Sequence, residues 1–360
     1  MAQENKIRFG IFHKLLLIML IVAIVPLGVI WFVDSRATTQ RITQNVETHI
    51  KHVSDALVDH VNQWVDLHYH VLKQNAALPQ IASMDASQQN PILKIIADEY
   101  NWAYLVFTIA PNGLNIGRSD GKAPKKYGDR IYVKQVLAGQ KMGQQVIIGR
   151  TSGKPSFVLS APIHNMEKQL TGIMAIAMTI AEISERITNI KIGETGYAFL
   201  LDENGQVIAH QSKEFTLTRK DLSGHPAFKA LTAQGQSDIV FTDENGDKTI
   251  AAMQKTKHGW IMVTQQSYNE AFAAIRLANR NALILIAVTL VFVIIIAYFI
   301  SQRLAKPIRR LTAIADEISL GKLDAKIVDM DRKDEIGNLA RAISRLGISV
   351  RLAMERLQRK

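Results

Sequence analysis

Two uncharged stretches of nineteen residues limit what this chain can become. Residues 15–33 read LLLIMLIVAIVPLGVIWFV and residues 282–300 read ALILIAVTLVFVIIIAYFI. At about 1.5 Å of rise per residue, each makes a helix of roughly 28 Å, close to the ~30 Å apolar thickness of a bilayer. About 250 polar-to-mixed residues lie between them. The pattern predicts two membrane spans with a large domain held on one side.

Basic residues beside the spans set the expected orientation. Lys6, Arg8 and Lys14 precede the first span, against Glu4 alone, and Arg303, Lys306, Arg309 and Arg310 follow the second before any acid. Both termini are therefore expected inside and the middle exported. The competing charges Arg36, Arg276 and Arg280 are fewer. The first apolar run exceeds the usual signal-peptide core of about 7–15 residues, and Trp31-Phe32-Val33-Asp34 offers no small-residue cleavage site. It reads as an uncleaved anchor, with Pro26 tolerated inside it.

The formal charge of +11 would suit nucleic acid if it were spread evenly. It is not. From Ser301 onward there are 14 Lys/Arg against 8 Asp/Glu, or +6. The first fourteen residues add +2, and the long middle part only +3. An inner basic excess beside anionic lipid fits a membrane partner and no nucleic acid. With no Cys in the chain, disulfides and thiolate chemistry are excluded.

After the second span, Ile308, Leu311, Ala315 and Ile318 recur at steps of three and four up to Gly321, where residues 320–324 begin a connector. Ile336, Leu339, Ile343, Leu346, Val350, Ala353 and Leu357 then form a heptad seam. Two short helices cannot bury such faces alone, so a parallel homodimer forming a four-helix bundle is expected. The run of Lys306-Pro307-Ile308 directly after a span, then Leu311, a Gly-containing connector and Asp334-Glu335-Ile336-Gly337, resembles a HAMP linker over residues 301–354. That resemblance implies signalling roles for Pro307, Glu335 and Gly337. Residue by residue, Pro307 also suits a plain helix start and Glu335 a first-turn acid. No kinase, cyclase or methyl-accepting segment follows, so the output is expected on a separate cytoplasmic signalling protein, or else the chain is a truncated chemoreceptor or histidine kinase.

In the exported part, residues 35–78 read as one helix, with Val53, Leu57, Val61, Trp64, Val65 and Leu72 on an apolar face. His49, His52, His60, His68 and His70 fall on its polar face, where solvated imidazoles are expected rather than a metal site. A short strand at 102–109 precedes a helix at 131–137, and the strands at 145–148, 157–161 and 172–179, joined by turns, predict an antiparallel meander, with another helix at 181–187. A second round follows: strands at 197–201 and 207–209 around an Asn204-Gly205 tip, then strands at 239–242, 249–253 and 260–264. The fold class is α+β.

Asp129-Arg130-Ile131-Tyr132 before a helix, Gly153-Lys154-Pro155, Ala161-Pro162-Ile163, Gly193-Glu194-Thr195-Gly196-Tyr197 and the late His258-Gly259-Trp260 with Tyr268 together resemble a double Cache sensor domain. The expected layout is an inner tail 1–14, a span 15–33, an exported domain 34–280, a span 281–300, a HAMP linker 301–354 and an end segment 355–360. Within the domain, a distal PAS-like module occupies about 80–185 and a proximal one about 190–268, as in receptors of the bacterial inner membrane.

By that resemblance the distal module holds a small-molecule ligand among residues 104–177. Amino-acid-binding members carry Arg-x-Trp-Tyr where this chain has Arg130-Ile131-Tyr132-Val133, and an acid near the position of Ala177. An ammonium without a buried carboxylate is costly to desolvate. The remaining cationic and aromatic set is Arg130, Tyr132, Trp102, Tyr104, Tyr127 and Arg150, with Arg118. It points to a small anion such as an organic acid, with Arg130 as its clamp and Tyr132 as a donor; Arg130 pairing with Asp129 or Asp120, and Tyr132 serving as core, are the structural alternatives. Tyr197 and Trp260 are expected in the proximal core. No nucleophile triad, paired carboxylates, cofactor motif or metal cluster can be assembled, so no catalytic role is expected. A transmembrane receptor and a ligand-blind membrane scaffold both fit this order of modules.

Overall fold

The computed structural model describes residues 11–358 apart from Thr151 and Leu323. Lys6 and Arg8 of the inner tail, Thr151 of one turn, Leu323 of the connector and the last two residues lie outside that set. The chain divides into two compact units, Arg41–Ala274 on the one hand and Met1–Gln40 with Ile275–Lys360 on the other.

The first unit is built on α1 (Ile11–Ala76), whose later part carries the expected apolar stripe: Leu57, Val61, Trp64, Val65 and Leu72 are buried. After α2 (Pro79–Ala82) and α3 (Ala86–Glu99) comes the distal sheet. It contains β1 (Ala103–Ile109), β2 (Asn115–Arg118), β3 (Gly143–Ile148), β4 (Pro155–His164) and β5 (Leu170–Thr179), with α4 (Ile131–Leu137) between β2 and β3. All pairings are antiparallel, in the order β2-β1-β5-β4-β3. The expected meander is β3-β4-β5, and β1 crosses to pair with the free side of β5, Phe107 opposite Ala175. This crossover covers the β5 edge that a meander would leave open.

Period-2 alternation sorts the strands' side chains. Leu105, Phe107 and Ile109 of β1, Val158 of β4, and Ile173, Ala175 and Ala177 of β5 face one way, and Tyr132, Val133 and Val136 of α4 close over them. The other face is also covered: Phe157 of β4 stacks on Trp64 of α1, ring centroids 5.7 Å apart. A sheet covered on both faces explains why β5 reads as an almost continuous apolar run.

α5 (Ala181–Thr188) leads to the proximal sheet: β6 (Tyr197–Leu201), β7 (Val207–Ala209), β8 (Asp238–Thr242), β9 (Lys248–Lys255) and β10 (Ile261–Ser267). Their order, β7-β6-β10-β9-β8, repeats the distal topology. Phe199, Leu201, Val207, Met253, Ile261 and Val263 form its core under α7 (Pro226–Gln234), beside α6 (Lys213–Thr218). At the β6–β7 tip Gly205 has φ +81°, and a Cβ there would meet Ser223 Cα at 2.6 Å, so only glycine closes this turn. α8 (Tyr268–Ala271) ends the unit.

In the second unit, the start of α1 and α9 (Ala273–Ile300) are long and apolar enough to cross a membrane. A π-helical turn, Ser301–Ala305, follows α9 and was not legible as such. α10 (Lys306–Ser319) stops where Gly321 takes φ +87°. α11 (Glu335–Gln358) packs back on it through Leu311, Ile336 and Ala340.

Candidate functional site

The distal sheet face gathers three of the expected ligand residues. Tyr132 is 1 % exposed beneath α4, and burial raises the pKa of its phenol. Tyr127 stacks on Phe107 at 4.9 Å. Tyr104 donates its hydroxyl to Ser156 Oγ at 2.9 Å. Arg118 reaches the same region, but its guanidinium is engaged. It donates from Nε and Nη2 to the two oxygens of Asp120, each at 2.8 Å, and from Nη1 to Tyr127 Oη at 2.9 Å. The Arg118 hydrogen bonds hold the Asp120 carboxyl below its ordinary range. Ala177 lines this face too, so no unpaired acid sits on the last distal strand.

The other three expected contacts lie elsewhere. Trp102 packs edge-on to His68 at 4.3 Å and against Tyr100 at 5.1 Å. Arg150 is exposed and paired with Asp129, Nη2 to Oδ2 at 2.7 Å. Arg130 occupies the N-cap position of α4 and lines a groove between the two modules. The arrangement thus separates Arg130 from Tyr132: one faces the groove, the other fills the distal core.

That groove, about 660 Å³, is bounded by Arg130, Gln144 and Val146 of the distal module and by Asp202, Arg219 and His258–Trp260 of the proximal one. Polar links cross it. Gln144 Nε2 donates to the His258 carbonyl at 2.7 Å. Arg219, itself in a left-handed conformation (φ 51°), pairs with Asp202 and donates to the Val146 carbonyl. Beside the groove a line of rings joins the sheets: Trp102, His68, Trp64, Phe157 and Trp260, with successive centroids 4.3, 4.5, 5.7 and 4.9 Å apart.

Several of these residues were missed or misassigned in the sequence. His68 is not solvated. It is buried, its Nδ1 donates to the Trp64 carbonyl at 2.6 Å, and burial lowers its pKa. Its helical position alone could not reveal this, because Trp102 covers the face that the helix pattern marks as polar. Trp260 belongs to the seam rather than to the proximal core. Tyr197 does pack on that core. Arg219 carried no signal at all. Among the described residues, no group of three or more His, Asp or Glu side chains comes together to hold a metal.

A second polar knot ties the Gly193-Glu194-Thr195-Gly196 turn to α8. The Glu270 carboxylate accepts the N–H of Glu194 at 2.7 Å, the N–H of Thr195 at 2.9 Å, and the Thr195 hydroxyl. These bonds, the hydroxyl first, pull its pKa down to about 2. In the second unit, Pro307 is buried at the start of α10 and Glu335 stands exposed in the first turn of α11. Gly337 is buried where a Cβ would meet the Arg332 carbonyl oxygen at 2.0 Å. Asp334 caps this turn, accepting Gly337 N–H at 3.1 Å, while Arg332 grips its carboxylate and holds its pKa near about 2.

Comparison with known proteins agrees with this geometry. The Cache domain family matches residues 35–275 and the HAMP domain family residues 299–351. The chain is similar to methyl-accepting chemotaxis protein McpA of Bacillus subtilis, 22% identical over 89% of this chain and 46% of that protein. It spans about half the length of the curated relatives it matches. Among solved structures, the ligand-binding domain of Pseudomonas fluorescens chemoreceptor CtaA, in complex with L-isoleucine, has TM-score 0.54 at 14% identity, covering 66% of this chain and 98% of that domain. The extracellular domain of a putative histidine kinase matches at TM-score 0.54 and 16% identity, over 63% and 96%.

Proposed function

The chain belongs to the Cache domain family, and on that premise we propose that it is a transmembrane receptor of the bacterial inner membrane. Its exported double Cache domain senses a small molecule, and its HAMP domain passes the change to a separate cytoplasmic signalling protein. One observation carries this reading: a sensor fold of two repeated modules lies between two helices apolar enough to span a bilayer, with a HAMP domain directly after the second.

In this reading both termini are cytoplasmic, as the basic flanks favour. The inner helices act as a homodimer. Leu339 and Leu346 on the heptad seam of α11 are 45% and 57% exposed in the single chain, which supports a partner helix covering them. Lys306, Arg309 and Arg310 meet anionic lipid.

The ligand-binding module is the distal one, where Tyr104, Tyr127 and Tyr132 converge. The related CtaA domain holds isoleucine, yet here Asp120 is taken by Arg118 and Ala177 stands on β5. An ammonium group would find no free carboxylate there. A small organic acid fits the chain better than an amino acid or an amine.

The test joins residues 1–354 to a reporter kinase in cells and applies organic acids, amino acids, amines and nucleobases. Output that changes with one organic acid supports the reading. Output indifferent to every compound would leave the exported domain ligand-blind and favour a scaffold.

A further inference from the structure

Nine buried side-chain polar atoms lack a hydrogen-bond partner among the described residues, and four of them belong to residues that line the seam groove: Arg130 Nε, Gln144 Oε1, Arg219 Nε and His258 Nε2. An unpaired buried polar atom costs about 1–3 kcal/mol, and native folds keep few. Four at one place, on side chains from both modules, mark a surface arranged for something other than the fold.

The side chains are held in position. Arg219 and His258 are 9% and 7% exposed. Arg219 is fixed by Asp202 and the Val146 carbonyl, which leaves Nε as its spare donor. His258 Nε2 lies 3.6 Å from Asp66 Oδ1, beyond hydrogen-bond length. Gln144 spends its amide N–H on the His258 carbonyl, which leaves its oxygen as a spare acceptor. No hydrogen bond or ion pair among the described residues reaches the Arg130 guanidinium. Of the acids lining the groove, Asp202 is matched by Arg219 and Glu203 is exposed at its rim. Arg130 is therefore a cation without a bonded counterion beside two further unpaired nitrogens and one acceptor. A volume of about 660 Å³ is within the range of small-molecule sites.

We infer that the groove between the modules is itself a binding site for a small hydroxylated carboxylic acid, its carboxylate held by Arg130 and Arg219 and its hydroxyl donating to Gln144 Oε1. Arginine matches a carboxylate in shape and charge. The hydroxyl is required because an acceptor such as Gln144 Oε1 cannot be satisfied by a carboxylate. Such a ligand would bridge the two modules and stiffen the seam. The inference deepens the receptor reading and rests on it for its biological sense, while its binding test stands apart: binding without reporter output would sink that reading and leave this one.

The experiment is calorimetric titration of the full chain in lipid nanodiscs with malate, citrate and, as the acid lacking a hydroxyl, succinate. Malate and citrate are expected to bind, malate more tightly than succinate. Arg130→Ala, which breaks no internal bond, should weaken malate by about tenfold to a hundredfold, as loss of a charged hydrogen bond does. Gln144→Leu should abolish the preference for malate over succinate, and Lys94→Ala, exposed on α3 away from the groove, should change nothing. Absence of malate and citrate binding overturns the inference, as does malate binding unaltered by Arg130→Ala. A loss in Lys94→Ala as large as in Arg130→Ala overturns it as well, by showing that any cation serves. Equal affinity for malate and succinate overturns the role of Gln144.

Discussion

Gln144 of the distal sheet donates from Nε2 to the carbonyl oxygen of His258 in the proximal module across 2.7 Å, and with Arg219 it forms the polar stitching of the seam. Neither bond lies within a module core. Both connect two sheets of identical strand order, so a displacement in one module is felt in the other.

Arg219→Ala should destabilise residues 41–274 strongly. It strands the Asp202 carboxylate, 6% exposed, although the N–H groups of Asn204 and Gln206 remain on it at 2.9 Å. Removing one partner of a buried ion pair costs about 3 kcal/mol, which lowers the unfolding midpoint by roughly 6–12 °C for a unit of this size. Arg219→Lys should not restore it, since one ammonium cannot serve both Asp202 and Val146. An unchanged midpoint in thermal unfolding of the full chain would contradict the role given to this residue.

Acid should weaken the proximal module through His210. Its Nδ1 accepts the Ser212 N–H at 2.9 Å amid Tyr197, Phe199 and Phe215. Burial first, then the charges of His225 and Lys220, lowers its pKa to about 4. The unfolded imidazole titrates near ~6.5. The stability it permits is complete above that value and is lost as pH falls toward about 4, because only the unfolded chain takes up the proton. H210Q should flatten the stability-against-pH curve over this window by up to about 1.4 kcal/mol per pH unit. Denaturant titrations giving parallel curves for both proteins would refute the assignment.

Glu270 behaves in the opposite chemical sense. Its carboxyl is held down at about 2 by the Thr195 hydroxyl and the turn's N–H groups. Its contribution is present above the unfolded value of about 4.3 and disappears as pH falls toward about 2. The deficit of Glu270→Gln should be constant above about pH 5 and close below it. Gly193→Ala should mimic the loss at neutral pH, since its Cβ would lie 2.1 Å from Glu270 Oε1. A Gly193→Ala protein as stable as wild type would show that the knot carries no load.

Gly337→Ala should loosen the packing of α10 on α11, because its Cβ would strike the Arg332 carbonyl. Overpacking of this kind costs about 1–3 kcal/mol. Leu346→Cys in membranes should cross-link to a second copy on oxidation, and adding Gly337→Ala should lower the yield. No cross-link at Leu346 under any condition would argue against the dimer.

The sequence was most legible where local chemistry decides structure. α4 occupies residues 131–137 as expected, and β6 and β7 keep their expected bounds because Asn204-Gly205 admits one tight turn. α10 ends near Gly321 for the same kind of reason. Non-local pairing was not legible: nothing near β1 indicates that it crosses to β5, and β2, at Asn115–Arg118, is too short for a period-2 signal. The candidate site was only half legible. The tyrosines of the distal face could be read from the motif and the strand pattern. Arg130 departs from them because the side chain at the N-cap points toward whatever the second module brings, and that depends on how the two sheets meet.

Of the four tryptophans, Trp64, Trp102 and Trp260 stand in the ring line that joins the two sheets, and Trp31 alone belongs to the first apolar segment. His68 lies between Trp64 and Trp102, within 4.5 Å of each centroid. A shift of the seam by even a fraction of an ångström therefore alters the surroundings of three indoles at once. The chain carries its own optical reporter: purified and unlabelled, its intrinsic emission should register any change that passes between the modules.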